Sequence, residues 1–342
     1  MNLFLRNMIP SCSCFSAPSA SKVASIDPEF EQDAAIQRFD SSGIQTLISN
    51  PKTLRRHQAG TGSQTPSASR NLDQPSARSP FNKSSSRCQR LYEMFHQELR
   101  VLRSIKPHPN IVRLIGYGDD RGGQLGTLVL EHVPNGTLHD ALHGNVKSVL
   151  SWPQRVSIAY RLATALNYLH EECDLPVVHG DIKSSNVLLD DGMSPKLCDF
   201  GFARLGFSAT VTRSAIPMMG SPGYVDPCYL RTGLVSKKSD VYSFGVLTLE
   251  LISGMEAFSE EKSRMLTVVM RPRLKEMAVE EIVDARLGGE YNRDEVVIMA
   301  RIAGRCIGEN PSLRPAMGEL LTLMRKDIPS AAFGRVSGKK IV

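Results

Sequence analysis

The chain has 342 residues, of which 41% are hydrophobic and 22% charged, and its net charge is +6. That is the make-up of a globular chain with one large or two small domains, and the mild charge argues against a nucleic-acid partner. Seven cysteines are scattered without any C-x-x-C pair, which fits free thiols in a reducing compartment rather than a disulfide framework.

The opening Met1–Pro10 is too short an apolar run for a secretory segment, and no run of ~18 apolar residues follows, so a cytoplasmic protein without a transmembrane segment is expected. Palmitate on Cys12 and Cys14 would add peripheral association with the plasma membrane. Asn2 after Met1 rules out the usual myristoylated glycine, and two unmodified thiols are the plainer expectation. Phe39 to Ile48 has the outline of a strand–turn–strand, but with Gly43 as its one glycine. Ala59-Gly60-Thr61-Gly62 carries two glycines with no strand pattern around them. From Gly60 to Ser86 the chain is mostly Ser, Pro, Gln, Arg, Thr and Asn, too polar to offset its ordering entropy, and a linker without stable packing is expected. Leu91, Phe95, Leu99 and Leu102 then recur at helical spacing. Ile111 to Ile115 and Leu125 to Leu130 read as strands, the second running into Glu131-His132-Val133 and ending at Pro134-Asn135-Gly136. Helices are expected at Trp152–His170, Val241–Ser253, Val279–Val283, Val296–Ile307 and Met317–Met324. A few strands followed by many helices predicts an α+β architecture in two lobes.

The chemistry concentrates in His179-Gly180-Asp181-Ile182-Lys183-Ser184-Ser185-Asn186, with Asp199-Phe200-Gly201 beginning thirteen residues beyond Asn186. Phosphoryl transfer needs positioning and charge neutralisation more than covalent chemistry. Asp181 is suited to accept the proton of a substrate hydroxyl, and Lys183 to neutralise a γ-phosphate. Asn186 and Asp199 offer the oxygen ligands that Mg2+ prefers.

These two motifs identify a resemblance to the eukaryotic protein kinases. Neighbouring segments extend it toward the plant receptor-like serine/threonine group. Gly220-Ser221-Pro222-Gly223-Tyr224-Val225-Asp226-Pro227 is similar to the end of an activation segment. Ser239-Asp240-Val241-Tyr242-Ser243-Phe244-Gly245 resembles the helix that anchors the catalytic loop, with Asp240 as the buried anchor, and Pro311-Ser312-Leu313-Arg314-Pro315 resembles a late structural arginine motif. Leu128 to Leu138 is similar to the hinge of the family. The resemblance therefore implies that Leu130, Glu131 and Val133 hold ATP by its adenine edge and that Leu188 floors the pocket. Asp181-Ile182-Lys183 implies serine/threonine specificity. Gly180, standing where many kinases carry arginine, implies a loop that need not be phosphorylated for activity. The match runs from Phe95 to Met324. It implies a kinase domain over 89–327, with its small lobe ending near 133, a largely disordered or degenerate region before it and a tail over 328–342.

The small lobe departs from the family. Glu98, in Phe95-His96-Gln97-Glu98-Leu99, takes the place of the helix glutamate, and Lys83 is the candidate for the lysine it should meet, although no strand pattern surrounds Lys83. Cys228 replaces the glutamate that usually pairs with Arg314, which predicts a missing ion pair and a looser large lobe. Ser208, Thr210, Thr212 and Ser214 are candidate modification sites. The resemblance implies a kinase that uses ATP and Mg2+ on protein hydroxyls. The degraded glycine loop implies weak or absent phosphotransfer and, as the alternative, a pseudokinase that docks a signalling partner.

Overall fold

The computed structural model describes residues 34–40, 43–47, 81–119, 126–144, 149–206, 212–213 and 220–330. They fall into two compact units, the first comprising the chain up to Leu99 with Leu114–His132, the second comprising Arg100–Arg113 and the chain from Val133 onward. The candidates Ser208, Thr210 and Ser214, and nearly all of the polar linker, lie outside the described residues.

The first unit is a four-stranded antiparallel sheet with one helix. Strands β1 (Ala34–Asp40) and β2 (Gly43–Leu47) pair as an antiparallel hairpin, with Asp40 opposite Gly43. Helix α1 spans Phe81–Ser104, and β3 (Leu114–Asp119) and β4 (Gly126–Glu131) follow. The sheet order is β2-β1-β4-β3, with β1 registered on β4 from Ala34 opposite Glu131 to Phe39 opposite Gly126. Leu128, Val129 and Leu130 are all buried, the continuous apolar run of a strand covered on both faces. The faint strand–turn–strand around Gly43 is therefore a paired hairpin, with β4 as the template that its own residues advertise poorly. Helix α1 seats Phe95 over Gly126, where an added Cβ would strike the ring. It also begins ten residues before Leu91. Once the amphipathic stretch is nucleated, extending a helix through Asn82 to Arg90 costs little.

The second unit is mainly helical. Helix α2 (Leu138–His143) starts at Thr137, whose hydroxyl accepts the Asp140 N–H at 3.1 Å. Helix α3 (Trp152–Asn167) widens into a π turn at Tyr168–Glu172. Short strands β5 (Val177–Val178), β6 (Val187–Leu189), β7 (Pro195–Leu197) and β8 (Arg204–Leu205) pair as β5 with β8 and β6 with β7. Then come α4 (Pro227–Thr232), α5 (Lys237–Ser253), α6 (Leu266–Glu276), α7 (Val279–Ile282), α8 (Arg293–Cys306) and α9 (Met317–Asp327). Helix α5 is the centre of this core, with every residue from Val241 to Ser253 except Ser243 buried. Gly245 lets α8 come close, since a Cβ there would collide with Cys306.

Arg314 is not left unpaired. Its guanidinium donates to both carboxylate oxygens of Asp226, at 2.7 and 2.8 Å, with both side chains almost wholly buried. It also donates to the carbonyls of Gly308 and Lys238 at 2.8 and 2.9 Å, and stacks 5.0 Å from the ring centre of Tyr242. The expected loss at Cys228 is thus made good two residues upstream. Asp226 caps α4 by accepting the Cys228 N–H at 2.9 Å, and the same carboxylate faces the arginine.

Candidate active site

The loop 179–186 lies between β5 and β6, and Asp240 in the first turn of α5 fixes its entry. The Asp240 carboxylate accepts the backbone N–H of His179 at 2.8 Å and of Gly180 at 2.9 Å, and His170 Nε2 lies 2.9 Å from it. It is 1% exposed, so these bonds replace its lost water. The anchor expected of Asp240 is present. Gly180 has φ +80°, and a Cβ there would sit 2.9 Å from the Phe202 carbonyl oxygen, a position glycine takes without steric cost.

The next residue, Asp181, is gripped from three directions. Its Oδ2 accepts from Lys183 Nζ at 2.7 Å and from Asn186 Nδ2 at 3.2 Å, while its Oδ1 accepts from Ser221 Oγ at 3.0 Å. Lys183 Nζ also donates to Ser221 Oγ at 2.9 Å, and Asn186 Nδ2 to the Asp181 carbonyl at 2.9 Å. Ser221 was not singled out from the sequence. Its segment carried a resemblance, but nothing in Gly220-Ser221-Pro222 reveals that this hydroxyl returns to an aspartate 40 residues earlier.

Asp199 sits beside this group. Its backbone is left-handed at φ 63°, and Oδ1 accepts the Gly201 N–H at 3.3 Å. Burial, and then the negative charge of Asp181, push its carboxyl above the usual range, against the pull of His179 and Lys183. Phe200 is buried, with its ring centroid 4.8 Å from that of His179, and Cys198 N donates to the Asn186 carbonyl at 3.0 Å. Pairing of β5 with β8 holds the two loops side by side. Asp181, Lys183, Asn186 and Asp199 are therefore brought together in space.

The other expected residues lie in different places. Glu98 is buried on α1, Leu130 and Glu131 are in β4, Val133 opens the second unit and Leu188 is in β6. Lys83 does not fill the role given to it. It belongs to the same helix as Glu98, and fifteen residues at 1.5 Å each separate their backbones by about 22 Å, too far for an ion pair. None of the four strands of the first unit contains a lysine, and Arg38 is their one cation.

For Mg2+ the donor set fits. Asn186 uses its amide nitrogen on Asp181, which leaves its oxygen as the free acceptor, and two carboxylates face one lysine, so the site carries surplus negative charge. Among the described residues no cluster of three or more His, Cys, Asp or Glu side chains could hold a metal alone. A magnesium ion bound through few protein oxygens together with substrate phosphates matches that.

A family profile, protein kinase domain, matches residues 60–323. The chain belongs to the protein kinase family. The kinase is 52% identical over 251 residues to salt tolerance receptor-like cytoplasmic kinase 1 of Oryza sativa subsp. japonica, covering 71% of this chain and 69% of that protein. It is 46% identical over 262 residues to a probable receptor-like protein kinase of Arabidopsis thaliana, covering 71% and 76% of the two chains. A probable serine/threonine-protein kinase of the same plant is 39% identical over 230 residues, 66% of this chain and 60% of the other. The α+β fold is that of a protein kinase, and the hairpin of β1 and β2 lies upstream of the matched range. No helix among the described residues is long and apolar enough to cross a membrane.

Proposed function

We propose that the kinase transfers the γ-phosphoryl group of ATP to serine or threonine hydroxyls of intracellular signalling proteins, and does so slowly. The observation that supports this best is the fixed carboxylate of Asp181, with its Oδ1 on Ser221 and its Oδ2 on Lys183 and Asn186. In this reading a substrate hydroxyl enters against Asp181, which takes its proton as the oxygen attacks the γ-phosphorus and the bond from that phosphorus to the β,γ-bridging oxygen breaks, releasing ADP. Lys183 spreads its positive charge over the transferred group while staying bonded to Ser221, so base and cation keep one geometry. Asn186 and Asp199 would hold Mg2+, whose charge offsets that developing on the phosphates. Contacts of Glu98, Leu130, Glu131, Val133 and Leu188 with the nucleotide are part of the same proposal, as is a cytoplasmic site of action. The name of the Oryza sativa relative, a receptor-like cytoplasmic kinase, supports the last point.

Slowness follows from the parts that grip phosphate. Well-aligned positioning is worth about 7–11 kcal/mol, so losing half of it lowers turnover by roughly three orders of magnitude. The absence of lysine from the described strands also favours a second reading, a pseudokinase that binds partners through a kinase-shaped surface. Thermal denaturation across an ATP–Mg2+ titration separates the two. The kinase reading expects stabilisation of about 2.7 kcal/mol at a hundred times the dissociation constant, with the magnesium dependence lost in Asp199→Ala. Identical melting with and without nucleotide supports the binding module.

A further inference from the structure

Glu250 in α5 is a carboxylate with no exposure at all, far from any role in the site so far. A buried carboxylate is costly unless donors surround it. Its donors come from three separate elements. Tyr224, three residues beyond Ser221, donates its hydroxyl to Oε2 at 2.5 Å. Ser184, next to Lys183, lies 3.4 Å from Oε1 through its hydroxyl, and both its hydroxyl and its N–H approach the Tyr224 oxygen, at 2.8 and 3.3 Å. His143, in the last turn of α2, places Nε2 3.1 Å from Oε1, and its side chain is 6% exposed.

The directions can be assigned. With the Tyr224 proton committed to Oε2, the Tyr224 oxygen is left to accept from Ser184, so protons run from Ser184 through Tyr224 to Glu250. Burial and the Glu250 charge push the Tyr224 hydroxyl upward, which keeps it protonated as that chain requires. Oε1 then needs a firm donor of its own, since Ser184 has one hydroxyl proton and a nearer partner in Tyr224. His143 supplies one whenever its Nε2 carries hydrogen. His139 lies on the same helix, its ring 5.0 Å from that of His143 and its Nδ1 3.5 Å from Ser184 Oγ, so α2 borders the network at two points.

We propose that His143 is a positioning residue for the protein substrate: by completing the shell of Glu250 it sets Tyr224 and Ser184, and through them Ser221 and Lys183 on either side of Asp181. Helix α2 thereby controls the geometry of the substrate-facing loop without touching the reacting atoms. For its catalytic consequence the proposal rests on the phosphotransfer reading above.

The test compares the full chain with His143→Phe, which keeps a ring of similar bulk but no donor, and His143→Gln, which restores an N–H near the Nε2 position. Amide hydrogen exchange without nucleotide should quicken about tenfold or more at Ser184 and across 221–224 in His143→Phe, and return close to wild type in His143→Gln. With a serine peptide and ATP, the peptide KM should rise in His143→Phe while the ATP KM stays constant. Unchanged exchange in His143→Phe, or a folded His143→Gln as fast as His143→Phe, overturns the proposal. If His143→Phe does not fold, Tyr224→Phe opens the same network from the other end and should quicken exchange at Ser184; no change there is equally fatal. A wild type that transfers no phosphate contradicts the kinase reading alone, because exchange needs no turnover.

Discussion

Asp226 serves two ends at once, capping α4 and closing on Arg314 with two short bonds, and its side chain is 2% exposed. Removing one partner of such a pair strands a buried charge, which costs about 3–5 kcal/mol. Urea denaturation of Asp226→Ala should show a loss of that size, whereas Cys228→Ala, half-buried and outside the pair, should lose less than about 1 kcal/mol. The reverse order would mean that position 228 holds the lobe. Gly180 is a second test at this scale: Gly180→Ala meets the left-handed penalty of about 1–2 kcal/mol and crowds the Phe202 carbonyl, so a measurable drop in stability is expected. A neutral result would show that the loop relaxes freely. Lys83→Ala should leave ATP affinity unchanged, because Lys83 lies about 22 Å along the same helix from Glu98; tenfold weaker binding would restore it to the site. Asp181, Lys183, Asn186 and Asp199 were legible because their spacing encodes one loop and the turn after it. Ser221 and Asp226 were not, because each acts through a partner 40 or 88 residues away, and chain separation of that kind leaves no local pattern.

Elements were read best where one face is apolar. Helix α3 and the cores of α5, α8 and α9 followed from their periodicity, while their ends shifted by a few residues because caps such as Asn292, which accepts from Asp294 N and Glu295 N, set the boundary. Helix α6 was passed over. Its Arg271-Pro272-Arg273 run interrupts any helical pattern, and Pro272 forfeits one backbone bond inside it. The β1–β2 hairpin was undervalued for the opposite reason: β1 is held by pairing to β4, and β2 by pairing to β1, which no local pattern in the sequence announces. At the junction of α1 with the sheet, Gly126→Ala should push Phe95 from its seat and destabilise the first unit, while a Phe95→Leu background should restore part of the loss. Additive losses in the double variant would mean that the two positions do not touch.

The chain has Asp181, Lys183 and Asn186 hydrogen-bonded together in its second unit, and a first unit whose sheet carries no lysine in its described strands. The fold class was legible in the sequence because the large, helical part holds most of the family's motifs. The first unit was legible only in part: the apolar spacing of α1 and the run of β4 showed, whereas the hairpin of β1 and β2 depends on a partner strand about 90 residues further on. Such a division of parts expects a chemically competent but slow enzyme. The direct measurement is the rate of label transfer from γ-labelled ATP to a generic basic protein at saturating nucleotide, in the wild type and in Asp181→Asn. Weak incorporation by the wild type that Asp181→Asn lowers by about 10²–10⁴-fold is the expected result. Equal background from both proteins would contradict it and leave a kinase fold used for binding.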